Sequence, residues 1–174
     1  FFIDSGLFGL IKMDENGNEE WVNETVGGRS VRQTTDGGYV LLEGSWSEYS
    51  LIKTDENGDL EWIKDIPKGV SVRQTSDGGY IITGETSDDN MLLLKTDNNG
   101  DQEWIQMFGE NFNGSGGSCV EQTTDGGYII TGWTNVSFST WDLQIYLIKT
   151  NEFGNITSTI ELPTPTGKRE LIKT

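Results

Sequence analysis

Oxygen-bearing side chains recur at alternating positions in three short segments of the chain, the spacing with which a loop wraps a hard cation. Asp14 and Asn16 begin the first, Asp55, Asn57 and Asp59 form the second, and Asp97, Asn99 and Asp101 the third. Ligands at i, i+2 and i+4 open a calcium loop, so calcium is the one metal these segments could hold. The rest of an EF-hand is missing: Gly stands fourth rather than sixth, and the twelfth residue is Thr25, Ile66 or Phe108 instead of a bidentate Glu. The simpler alternative is a capped turn, in which Asp accepts nearby backbone N–H groups and Asn-Gly supplies a positive φ. No other cofactor is indicated. The chain has no His, and its only Cys is Cys119, so general acid–base chemistry would fall to carboxylate pairs. These are too numerous to single out, and no catalytic residue is assigned.

Aromatic residues are the second candidate chemistry. Trp21, Trp62 and Trp104 each lie seven positions after an acidic turn begins, a regularity that suits packing between repeated units. Trp46, Trp133 and Trp141 break that pattern, which makes them the better candidates for contact with a ligand such as a glycan.

The elements that position these residues are repeats. Val31-Arg32-Gln33-Thr34-Thr35-Asp36-Gly37-Gly38-Tyr39 recurs as Val72 to Tyr80 and as Val120 to Tyr128. A second phrase, Leu-x-Lys-Thr-[Asp/Asn]-x-x-Gly, with Met13 for the Thr in its first copy, places its acidic or amide residue at Asp14, Asp55, Asp97 and Asn151, giving steps of 41, 42 and 54 residues. A period of this length marks a propeller or solenoid. Between the Gly-rich turns stand short β-branched and aromatic runs such as Tyr80-Ile81-Ile82-Thr83, with no sustained helical period. Each unit therefore reads as four antiparallel strands. For the unit from Val72 to Phe108 these are Val72 to Thr75, Tyr80 to Thr86, Met91 to Thr96 and Asp101 to Met107.

The fold expected is all-β: one four-bladed β-propeller over residues 1–174, with the first blade completed by the C-terminal strand. Its blades are residues 168–174 plus 1–26, then 27–67, 68–109 and 110–163. Phe1 to Gly6 aligns with Gly79 to Gly84, a second strand, and Arg169 to Thr174 takes the place of the missing first strand. A strand that completes its own blade can also complete a neighbour's, so a homo-oligomer or filament built through the terminal strand is expected as a partner state. First strands line a propeller's channel, which nominates Arg32, Gln33, Arg73, Gln74, Glu121 and Gln122 as lining residues.

Charge and composition narrow the partners. With 28 acidic against 12 basic residues the net charge is −16, so the field repels nucleic acid and anionic membranes. No apolar run approaches the ~20 residues of a membrane span. Cys119 occupies the slot of Ser30 and Ser71 and reads as a small buried residue. Sequons at Asn23, Asn113, Asn135 and Asn155 are candidate glycosylation sites and favour an extracellular or cell-surface address. The start at Phe1, without Met, agrees with a removed leader or a trimmed fragment.

The Gln-Thr-x-Asp-Gly-Gly-Tyr and Leu-Ile-Lys-Thr-Asp-x-Asn-Gly phrases, each with Trp a few residues on, resemble the repeats of large secreted archaeal and bacterial β-propeller proteins of unassigned function. Those are often labelled by weak similarity to quinoprotein-type propellers. The resemblance spans essentially the whole chain and implies a secreted or surface propeller, with no catalytic residue to carry over. The fourth unit departs from it, with Asn151 for the Asp and Ser158 for the Trp. The function expected is a non-enzymatic scaffold for self-assembly or adhesion. The alternatives are a carbohydrate-binding propeller and a glycan-acting or quinoprotein-like enzyme.

Overall fold

Short strands joined by Gly turns cannot bury both faces alone, so they must stack as sheets. A computed structural model describes residues 9–45, 48–109, 114–135 and 143–162. Among them lie fourteen strands and no helix, all strands pairing antiparallel with their sequence neighbours. The first sheet holds β1 (Leu10–Met13) and β2 (Glu19–Asn23). The second is β3 (Ser30–Gln33), β4 (Tyr39–Ser45), β5 (Glu48–Thr54) and β6 (Leu60–Asp65). The third is β7 (Gly69–Gln74), β8 (Tyr80–Glu85), β9 (Met91–Thr96) and β10 (Gln102–Phe108). The fourth is β11 (Ser115–Gln122), β12 (Tyr128–Asn135), β13 (Leu143–Thr150) and β14 (Ile156–Leu162). Phe1 to Gly6 and Arg169 to Thr174, expected as the second and first strands of the first sheet, lie outside the described residues.

Burial separates the strands within a sheet. All six residues of β9 are buried, because a neighbouring sheet covers each face. The outer strand β10 is exposed or half-buried throughout. Strand β7 starts at Gly69, earlier than the Val72 expected, after a register shift between Gly69 and Ser71. There Gly84 must pass the Lys68 carbonyl so closely that a Cβ would lie 1.9 Å from its oxygen. Small residues at this crossing let the inner strand run on, which Ser71 and Gly69 in the sequence did not announce.

The core is three separate layers, one between each pair of consecutive sheets. Leu10, Val26, Leu41 and Ile52 fill the first, with Trp21 and Tyr39 against them. Val40, Leu42, Val72, Ile82 and Leu94 belong to the second. Ile81, Leu93, Val120, Ile130 and Ile148 belong to the third. Alternate residues of one strand thus serve two layers: Ile81 faces forward and Ile82 back, as strand periodicity demands. Truncating any of these to Ala would cost about 2–5 kcal/mol.

Candidate functional site

Three devices repeat along the chain, one inside the sheets and two at the junctions between them. The first is a buried lysine. Lys53 is 3% exposed, and its ammonium donates to the Thr54 carbonyl at 2.8 Å, Glu61 Oε2 at 2.9 Å and Asp36 Oδ2 at 3.0 Å. Three N–H groups meet three acceptors, which is what a buried charge requires. Lys95 repeats the arrangement with the Thr96 carbonyl, Glu103 and Asp77. Lys149 keeps Asp125 and the Thr150 carbonyl, with Thr157 where Glu would stand, and is more exposed. Lys12 pairs with Glu20 at the half-exposed start of the series.

Asp36 also caps its own hairpin, its Oδ1 accepting from the Thr34 hydroxyl and from the Gly38 N–H at 3.0 Å. The Thr34 bond and then the Lys53 bond hold this carboxyl at about 2. For Asp77 burial pushes the other way, but the Thr75 and Lys95 bonds prevail and its value is about 2. Asp125 is held at about 2 by Thr123 and Lys149. Burial lowers the Lys53 value, yet Glu61 and Asp36 raise it above 10.5 on balance. These groups keep their charges across neutral pH, so each trio is a fixed lock between hairpin and sheet. Burial, reinforced by the Asp77, Glu103 and Glu152 charges, pushes the Tyr128 hydroxyl up to about 12.

The second device is a tryptophan laid over the next sheet's glycine. A Cβ on Gly58 would fall 2.6 Å from Trp21 Cζ3, on Gly100 2.7 Å from Trp62 Cζ3, and on Gly154 2.7 Å from Trp104 Cζ3. The same rings meet Tyr39, Tyr80 and Tyr128, with centroids 5.8, 5.9 and 5.8 Å apart. Those glycines lie in the acidic turns at φ of +83, +80 and +78°, so both the conformation and the space exclude a side chain.

The third device is a glutamine clamp. Gln74 Oε1 accepts from the Thr35 N–H of the preceding sheet at 2.8 Å, and Gln122 Oε1 from Ser76 at 2.8 Å. Their amide nitrogens, and that of Gln33, donate to the carbonyls of Gly78, Gly126 and Gly37. Of the other channel candidates, Arg73 bridges to Glu121 across two sheets, donates to the Val72 carbonyl and lies 3.9 Å from Cys119 Sγ. Arg32 is exposed and donates to its neighbour Val31's carbonyl. Cys119 is half-buried rather than buried as expected, since its strand face looks toward Arg73.

The acidic turns use their oxygens internally. Asp55 Oδ1 accepts from the N–H groups of Asn57 at 2.8 Å and Asp59 at 2.9 Å, while Oδ2 takes the Asn57 amide. Asp14 does the same for Asn16 and Asn18, and Asp97 for Asn99 and Asp101. These bonds hold all three carboxyls below their ordinary value: for Asp14 the Asn18 side chain leads, for Asp55 and Asp97 the backbone N–H groups of Asp59 and Asp101. Asn151 Oδ1 accepts from Phe153 and Asn155 in the same geometry, so the fourth turn closes without the charge. Asp101 also meets Lys64 of the preceding sheet at 2.7 Å. Among the described residues no three His, Cys, Asp or Glu side chains converge on one point.

Trp133, on β12, is half-buried across Gly114 and Gly116; Trp46 and Trp141 lie outside the described residues. Of the sequon residues, Asn23 donates to the Gly58 carbonyl at 2.7 Å and accepts from the Thr25 N–H and hydroxyl. Asn135 is 5% exposed, Asn155 is exposed, and Asn113 lies outside the described residues. The buried lysine was the feature that sequence reading missed. Its signal was a Lys in an apolar strand, repeated immediately before Thr in three of the four units, with Met13 following Lys12 in the first.

No protein-family model and no curated protein sequence matches the chain.

Proposed function

We propose that this chain is a four-bladed β-propeller serving as a rigid, non-enzymatic scaffold at the cell surface or outside it. The reading is carried by one observation about unequal exposure of equal positions. Ile52, Leu94 and Ile148 occupy the same slot in successive sheets and are at most 2% exposed, each covered by the sheet before it. Ile11 occupies that slot in the first sheet and is 52% exposed. Gly17 is likewise exposed, with nothing within 4 Å of a Cβ, whereas Gly58, Gly100 and Gly154 are buried under tryptophans. The first sheet therefore offers a face shaped for a preceding sheet. In a ring, the fourth sheet supplies it, and residues 168–174 supply the strand that edges the first.

An interface repeated with one rotation either closes or propagates from chain to chain. Exchange of the terminal strand between chains would convert the closed scaffold into a filament. The extracellular address draws support from the −16 charge and from Asn155, an exposed sequon residue in the fourth acidic turn.

Light scattering over a concentration series tests this, beside a variant lacking residues 168–174. A monomer near 19.3 kDa that loses stability on deletion means self-closure. Polymers that collapse to soluble subunits on deletion mean exchange between chains. A deletion that alters neither mass nor stability would refute the role given to the terminal strand.

A further inference from the structure

The junctions between the second and third sheets and between the third and fourth hold cavities with corresponding walls. The first measures ≈ 650 Å³ and the second ≈ 470 Å³. Both are lined by a lysine lock, its Trp, the clamping Gln of the next sheet and the next acidic turn. We propose that these are two corresponding binding sites for an uncharged sugar, so that the scaffold is a bivalent glycan binder. The inference deepens the scaffold reading and rests on it for the stacking of the sheets.

The ligand class follows from which atoms remain available. Lys53 has all three N–H groups engaged, and both Asp36 oxygens are taken by Thr34, Gly38 and Lys53. Glu61 uses only Oε2, leaving Oε1 as a free carboxylate acceptor on the wall. Asn98, exposed in the third sheet's acidic turn, has no hydrogen bond to its carboxamide, which adds donors and an acceptor to the lining. Trp62, half-buried, lines the same cavity and adds an apolar surface of the kind that takes the C–H face of a pyranose. A few convergent polar groups beside an aromatic wall is the composition of a small-molecule site.

Other classes fit worse. A divalent cation needs six or more oxygens, and one free carboxylate oxygen cannot supply them. An anion would face Asp36 and Glu61 against one Lys, within a chain of net charge −16. The second cavity keeps the acceptor on Glu103 and the indole of Trp104, with Glu152 at the place of Asn98 and the exposed Phe153 added. It therefore takes the same class without the amide donor. Two weak sites on one rigid body bind a multivalent glycan far more tightly than either alone.

The test is an NMR titration of the indole N–H resonances with methyl glycosides of glucose, galactose, mannose and N-acetylglucosamine at millimolar concentrations. Trp62→Phe and Trp104→Phe assign the two signals. Saturable shifts of both with at least one neutral glycoside are expected, with methyl glucuronide about tenfold weaker. Asn98→Ala, at an exposed and unbonded position, should weaken the Trp62 site about tenfold and leave the Trp104 site unchanged. The proposal is overturned if neither indole responds to any of the four neutral glycosides, or if calcium chloride moves them and sugars do not. Either result leaves the mass and closure of the scaffold untouched, so the two readings fail separately.

Discussion

Gly78 and Gly79 stand side by side in one hairpin, and a methyl group added to each would act through different physics. Gly78 has a φ of +89° and nothing within 4 Å of a Cβ, so Gly78→Ala meets only backbone strain. That costs about 1–2 kcal/mol. At Gly79 the added carbon would lie 2.2 Å from the Thr96 carbonyl oxygen, 2.7 Å from Lys95 Nζ and 3.3 Å from Asp77 Oδ1. Relief requires moving the β8–β9 backbone by roughly 1 Å, into a strand whose six residues are all buried. The same shift disturbs the Lys95 lock, whose ammonium has no solvent to fall back on. Overpacking of this kind costs about 1–3 kcal/mol, and the strained ion network adds to it, so Gly79→Ala should cost about 3 kcal/mol or more. Urea unfolding at constant m reads the difference directly. In melting temperature, Gly79→Ala should lose roughly 10 °C and Gly78→Ala about half of that or less. Asn tolerates positive φ, so Gly78→Asn should be milder than Gly78→Ala, while Gly79→Asn should show no such relief. If Gly79→Ala costs no more than Gly78→Ala, the close approach described for the second glycine is wrong.

Acid should weaken the fold through the locks. A carboxyl whose folded value lies below its unfolded one stabilises the fold above the unfolded value, and that contribution disappears as pH falls through the folded value. For Asp36, Asp77 and Asp125 the window runs from 3.8 down to about 2, so the urea midpoint should drop across it, and Asp77→Asn should flatten the slope. A midpoint that does not change over that range would contradict the lock. Lys95→Met keeps the stem and removes the charge; because Asp77 and Glu103 are largely solvated, it should cost less than about 2 kcal/mol, and clearly less than Lys95→Ala by the same assay. Ser158→Trp places an indole where the first three units have one, over Gly17 in a closed ring. It should raise stability by about 1 kcal/mol or more, and an unchanged urea midpoint would count against closure.

Hairpin chemistry was legible because it is local. The Gly at φ +81, +83, +80 and +78° in the acidic turns, and the strands β1, β5 and β9 beside them, follow from neighbouring residues alone. The inter-sheet tryptophan was legible from its period. The partners of Gln74 and Arg73 were not, because stacking joins residues such as Thr35 and Gln74, far apart in the chain. Gln74 and Gln122 were expected to line a channel; each reaches back to the preceding hairpin while also closing its own. The cavities escaped notice for a similar reason: Glu61 and Asn98 belong to successive repeats, and only the stacking of two sheets brings them to one cavity.

Ring closure is tested most directly by electron–electron distance measurements on spin labels. Glu15, Glu56, Asn98 and Glu152 are the second residues of the four acidic turns and all are exposed, so a label at each reports the same point in successive sheets. Cysteines at these positions, in a Cys119→Ser background, give one adjacent pair at Glu56 and Asn98 and a closing pair at Glu15 and Glu152. The account predicts that both pairs give the same distance, shorter than that of the pair at Glu15 and Asn98 across the ring. A closing pair longer than that diagonal would mean an open array of sheets, and the four-bladed propeller would be withdrawn.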